Sequence, residues 1–408
     1  MVIDSERGAQ TDIAVTEAIS VLASVSTITV KVIKTLHFCY QIPDPLPWAQ
    51  LAGPLAAAED ALARLDERLA KSPIREGWTA RTHFTDACAT MWLEGELVHL
   101  DDLVLHDAGM DVRAPTVELT RARAVLRTRR RIAEAKPDWA LSPAGLDSLR
   151  GGGGEGNRER NGSVAGENSE LADDEEFIDT APADAPDALF ADAFAAIDAA
   201  VAQTERTLAG ETLRQPERDP LVYDPDWDED ARIEDWQRVA DQTRTLPPAL
   251  AAAITADAWD RIEPLQHMPW LGRLLSAAVL RERAKTRWHL ACIHDGLKAI
   301  PRERRRPREA ASRLAMQLEA IAAAAEAGLK DHDRWQTART LLARKLDGRR
   351  STSRLPALID YVLTRPIVSA AMIAKELKIT PRAAQNLVAE LGLREATGRG
   401  RYRAWGIL

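Results

Sequence analysis

The sequence predicts a mainly α-helical, multidomain protein that ends in a winged helix-turn-helix. Three observations predict it. Alanine is heavily used and β-branched runs are rare over the 408 residues, a composition that favours helices. Apolar residues recur at spacings of three and four through most of the chain. The last fifty residues read as three short helices followed by an arginine-rich hairpin. The boundaries that follow are an N-terminal arm with possible short strands over 1–48, a helical domain over 49–149 and a Gly-rich, acidic linker over 150–187. A second helical region over 188–347 and the winged domain over 354–408 complete the chain.

In chain order, residues 21–33 are rich in Val, Ile, Thr and Ser and suit a strand or hairpin. The proline-rich entry at 42–48 leads to Trp48, expected to anchor the next helix. Leu55, Ala58, Leu62, Leu65 and Leu69 then trace an amphipathic helix over 51–69. Helices are expected over 82–97 and 117–134. The second of these carries Arg121, Arg123, Arg127, Arg129, Arg130 and Arg131 on what reads as its outer face. Such a face is either solvated or holds an acidic partner or phosphate. His83 with Asp86, and His99, Asp102 and His106, have helical spacing. Without a His-Glu-x-x-His motif they do not make a metal site, and His83 reads as a helix-start or packing residue.

GGGGEGNRERNGSVAGENSE at 151–170 has no apolar anchors and reads as a linker. It lacks the Lys-Ser/Thr of a phosphate-binding loop. From 188 the helical pattern resumes, with Trp227, Trp236, Trp259, Trp270 and Trp288 expected as packing anchors and interruptions near Pro264 and Pro269. The densest basic run, Arg302, Arg304, Arg305, Arg306 and Arg308, precedes helices expected at 309–327 and 338–346. It either crosses a DNA backbone or forms a solvated connection.

The C-terminal segment is the most legible. Leu355, Leu358, Ile359, Val362 and Leu363 give one helix, which Arg365-Pro366 stops. Ser369 suits the cap of a second helix, and Thr380-Pro381 begins a third with proline at its first position. Gly398-Arg399-Gly400 suits a hairpin tip, with Tyr402, Trp405 and Ile407 packing back. A helix fits the major groove of duplex DNA. The expected base-reading residues are Arg382, Gln385 and Asn386. The expected phosphate or minor-groove contacts are Thr380, Arg399, Arg401 and Arg403, joined by Arg304, Arg305 and Arg306.

The net charge is −8, unevenly placed. Residues 301–408 hold 22 basic and 11 acidic side chains, whereas 170–230 hold 3 basic and 19 acidic. The basic third suits nucleic acid. Cys39, Cys88 and Cys292 are too scattered for a disulfide framework, which points to a reducing compartment. No apolar run is long enough to span a bilayer. The expected partner is double-stranded DNA, with a homo-oligomer or protein partner also possible and no membrane. No cofactor and no catalysis are expected, and the expected place is cytoplasmic and nucleoid-associated.

Three long stretches carry a family resemblance: LPWAQLAGPLAAAEDALARLDERLAKSP, RTHFTDACATMWLEGELVHLDDLVLHDAGMDVRAPTVELTRARAVLRTRRRI and AELGLREATGRGRYRAWGIL. Together they resemble a bacterial family frequent on plasmids of rhizobia and related alphaproteobacteria. Its members have a domain of unknown function followed by a helix-turn-helix DNA-binding domain. The resemblance implies a DNA-associated protein, expected to be a transcriptional or plasmid-associated regulator. The alternative is an interaction scaffold whose winged domain meets no DNA. Thr90, Glu94 and Gly95 within ATMWLEGE also resemble the inhibitory helix of Fic-type nucleotidyl transferases. The catalytic His-Pro-Phe-x-x-Gly-Asn-Gly-Arg motif is absent from the chain. That resemblance therefore implies a degenerate relative without transferase activity.

Overall fold

Helix α1, Trp48–Ala70, buries Leu51, Ala58, Leu62, Leu65 and Leu69, the stripe that its spacing of three and four lays along one face. Its partner is the longest element among the described residues. The computed structural model describes residues 40–110, 114–151, 227–346, 354–397 and 403–407. The expected strands at 21–33, nearly all of the linker at 150–187 and the helical stretch from 188 to 226 lie outside the described residues.

After α1 come α2 (Arg75–Leu93), α3 (Leu100–Asp107), α4 (Val117–Glu134) and α5 (Pro143–Gly151). Beyond the linker follow α6 (Glu229–Gln242), α7 (Pro248–Ile262), α8 (Leu271–Glu282), α9 (Ile293–Ala299) and α10 (Ala310–Arg344). Residues 40–151 and 229–407 belong to one compact unit. The stretches that the sequence sets apart as 49–149 and 188–347 thus share a core: α10 packs along α1, α9 along α2, and α8 touches α4. A second unit, 154–228, lies almost wholly outside the described residues.

Several expectations need correction. The two helices expected at 309–327 and 338–346 are one helix of 35 residues. Gly328 is the poorest helix former of the intervening stretch, and a single helical glycine costs about 1 kcal/mol. Burial of His332 and Trp335 in the same turns offsets that cost. Trp236 and Trp259 do anchor the core, edge to face with ring centroids 5.4 Å apart. Trp48 and Trp288 do not. Both are exposed, and Trp288 lies under the Arg75 guanidinium at 4.6 Å.

The basic face expected on α4 is mostly engaged within the protein. Arg130 donates two hydrogen bonds of 2.9 Å to Asp107. Arg121 pairs with Glu94 and Glu96, and Arg131 lies over Trp139. Arg129 is completely buried. It donates to Asp86 at 2.7 Å, to the carbonyls of Leu290 (2.7 Å) and Ala291 (3.1 Å), and contacts Cys292 Sγ at 3.1 Å. Burial alone would raise the Asp86 carboxyl. The Arg129 guanidinium, His294 and the Asp295 N–H outweigh it and hold the carboxyl below its ordinary range. The hub joins α2 and α4 to the segment that enters α9.

The remaining histidine readings resolve in the same body. His83 is buried in the middle of α2 rather than at a helix start. Burial, with Arg129 and Arg130 nearby, pushes its imidazole well below the ordinary value. His99 sits at the N-cap of α3, and His106 is buried on it. Among the described residues, no three His, Cys, Asp or Glu side chains gather as a metal site, and no helix is long and apolar enough to cross a membrane.

Candidate nucleic-acid interface

The C-terminal segment folds as its punctuation dictates. Helix α11, Leu355–Thr364, buries Leu355, Leu358, Ile359, Val362 and Leu363. It ends where Arg365 turns extended (φ −130°, ψ 140°) ahead of Pro366. Strand β1, Val368–Ser369, leads into α12, Ala370–Leu377, whose first turn is capped by the Ser369 hydroxyl accepting from the Met372 N–H at 3.2 Å. Lys378 turns left-handed, and Thr380 caps α13, Pro381–Leu391, by accepting from the Ala383 N–H at 3.2 Å. Gly392, at φ 60°, closes α13 in the conformation that glycine adopts without strain. Each cap hydroxyl is worth about 1 kcal/mol. Ser369→Ala and Thr380→Ala are therefore each expected to lower stability by about that much in urea denaturation. An unchanged midpoint would show the caps to be idle.

Strands β2 (Arg394–Glu395) and β3 (Ala404–Gly406) complete a three-stranded antiparallel sheet in the order β1-β3-β2, with Val368 opposite Trp405 and Arg394 opposite Gly406. Trp405 and Ile407 pack inward with Ala384, Val388 and Leu391 of α13. Burying 384, 388 and 391 turns the other side of α13 outward. Arg382, Gln385 and Asn386 all lie on that exposed side. None of the three side chains makes a hydrogen bond or ion pair with another described residue.

The expected phosphate contacts are more dispersed. Arg399 and Arg401 fall outside the described residues. Arg403 is exposed but held across the hairpin by Glu395, at 2.8 Å from Nε. The Thr380 oxygen serves its own helix. Arg304 forks onto Glu319 at 2.7 and 3.0 Å. Arg305 donates to the carbonyls of Ile300 and Lys298 and stacks on Trp92; Arg306 is exposed. Trp92 lies near the end of α2, 11 residues or about 16 Å of helix rise beyond Arg81. Arg81 is where α2 meets the winged segment, so this run does not share that junction.

Residues that the sequence reading did not single out hold the winged segment in place. Arg81 is buried and donates to three carbonyls: Val362 at 3.1 Å, Arg365 at 2.6 Å and Ile407 at 3.0 Å. Its guanidinium lies 4.8 Å from the Trp335 ring, and burial pushes its pKa down to about 10. Gly77 admits α11 to the same face of α2: a Cβ there would stand 2.8 Å from the Leu363 carbonyl oxygen. Asp107 accepts from Arg365 at 3.3 Å while it holds Arg130. Lys345, just past α10, donates to the Leu391 carbonyl at the end of α13.

The pattern that resembles Fic-type helices also has a place. Thr90 donates to the Asp86 carbonyl, Glu94 follows the end of α2, and Gly95 takes φ 90°. The arginine that Glu94 engages is Arg121 of α4.

Three helices, a three-stranded sheet and a polar helix edge turned outward define a helix-turn-helix domain of the winged kind. Residues 355–408 match an HTH DNA-binding domain, and residues 221–347 match a family described as a protein of unknown function, DUF1612. The uncharacterized protein y4cF of Sinorhizobium fredii is 49% identical over 378 residues, spanning 88% of this chain and 97% of that protein. The chain belongs to this family, which joins a domain of unknown function to a C-terminal helix-turn-helix.

Proposed function

We propose that the protein binds duplex DNA with sequence preference and acts, without catalysis, as a transcriptional or plasmid-associated regulator on the bacterial nucleoid. The exposed edge of α13 carries this reading. Arg382, Gln385 and Asn386 stand on one outward side of a helix that is capped at both ends and tied to the body. Arginine pairs with guanine through O6 and N7, and Gln or Asn pairs with adenine through N6 and N7. The fixed helix presents these groups without first breaking an internal bond.

The test uses the full chain, because Val362 of α11 and Ile407, just after β3, accept hydrogen bonds from Arg81 of the body. Duplexes retained from a random-sequence library should share a motif. Gln385→Ala with Asn386→Ala should flatten that motif and cost about 1–3 kcal/mol of discrimination for each bidentate pair lost. Affinity for random duplex should persist, since phosphate attraction carries it. Recovery of an unchanged motif by the double variant would remove these residues from base reading. A parent protein that retains no duplex would overturn the function itself and leave the winged domain as a protein-docking module.

A further inference from the structure

At the carboxyl end of α13 the body and the winged segment meet. Lys345 Nζ donates to the Leu391 carbonyl, and a Cβ on Gly392 would stand only 3.2 Å from that nitrogen. A cation is favoured at a helix C-terminus, where carbonyls lack partners. The contact sets the last turn of α10 against the last turn of α13. Arg344 precedes Lys345 in the chain, and Arg394 follows Gly392 by two residues. Both are exposed. Neither side chain makes an ion pair or hydrogen bond among the described residues. Arg304 and Arg403, by contrast, are committed to Glu319 and Glu395.

An uncommitted guanidinium reaches a phosphate without first giving up a carboxylate. The dimensions favour that meeting. The 11 residues of α13 make a rod about 16 Å long, whereas the major groove is about 12 Å wide. Laid across the groove, such a helix carries its carboxyl end to a sugar-phosphate wall.

We propose that the body takes part in the DNA interface: Arg344 at the end of α10 and Arg394 of β2 contact phosphates beside the groove that α13 enters, with Lys345 as the positioning residue that holds this ridge to the recognition helix. This rests on α13 being the DNA-reading helix. It extends the interface onto an element that lies within the domain of unknown function.

The experiment is a salt titration of the full chain on a fluorescein-labelled duplex of random sequence. Each phosphate contact contributes about 0.9 to the slope of log affinity against log salt. Arg344→Gln with Arg394→Gln should reduce the slope by about 1.8 while leaving the motif selected from a library unchanged. Both side chains are exposed, so the thermal midpoint should match the parent; Arg304→Gln, the control, should keep the parental slope. A double variant with the parental slope, in a parent that binds, overturns this proposal alone. A parent without duplex affinity overturns the DNA reading together with it.

Discussion

Replacing Arg129 with methionine is expected to destabilise the protein by about 3–5 kcal/mol, because it leaves a buried carboxylate without its cation. Asp86 and Arg129 are both fully buried, and the same guanidinium satisfies two backbone carbonyls on the way into α9. The loss should depend on pH with a defined sign. In the parent the folded-state Asp86 carboxyl is held low, so its contribution is present above the unfolded value of about 3.9 and fades as pH falls. Without Arg129, burial pushes the same carboxyl up, and the folded state then loses stability as pH rises. The gap between parent and variant should therefore widen as pH rises through the carboxylate range. Asp86→Leu added to Arg129→Met should recover part of the loss, since an apolar pair leaves no charge buried. Urea denaturation at several pH values decides it. A loss below about 1 kcal/mol, or a gap that narrows with rising pH, would show that the pair is not the clamp described.

Arg81→Leu is expected to release the winged segment from the body. Hydrogen bonds to a charged group contribute about 1.5–3 kcal/mol each, and this side chain donates three, to Val362, Arg365 and Ile407. A net loss of about 3 kcal/mol or more follows, concentrated at one junction. Hydrogen exchange should rise first in α11 and β3, while α1 and the first half of α10 stay protected. Uniform loss of protection would mean that the segment and body unfold together, and unaltered exchange would mean that Arg81 is dispensable. Any loss of DNA affinity in this variant should be accompanied by that local opening.

The winged segment was legible because its signals are local. A proline stop, two hydroxyl caps and helical spacing each act within a few residues, and each appears in place. Helices α1 and α4 were legible for the same reason. The association of 40–151 with 229–346 was not, because pairing between distant helices leaves no mark within either one. Arg129 was misread despite an available clue. It falls on the stripe of Ala122, Val125, Leu126 and Ile132, so spacing placed it on the buried side while its charge suggested the surface. Arg81 lies similarly on the inner side of α2, three residues after Trp78. Basic density was a poor guide to free charge. Arg304 and Arg305 of the densest run are occupied within the protein, while the side chains of Arg344 and Arg394 have no partner among the described residues.

The shared core of residues 40–151 and 229–407 makes severed pieces mutually dependent. Each piece alone would face water with the apolar sides of α1 or α10 that now cover one another. Produced together as separate chains, they should find each other and elute as one species. By the same reasoning the length of the stretch between them can drift widely, because the entropy of closing a longer loop grows only logarithmically.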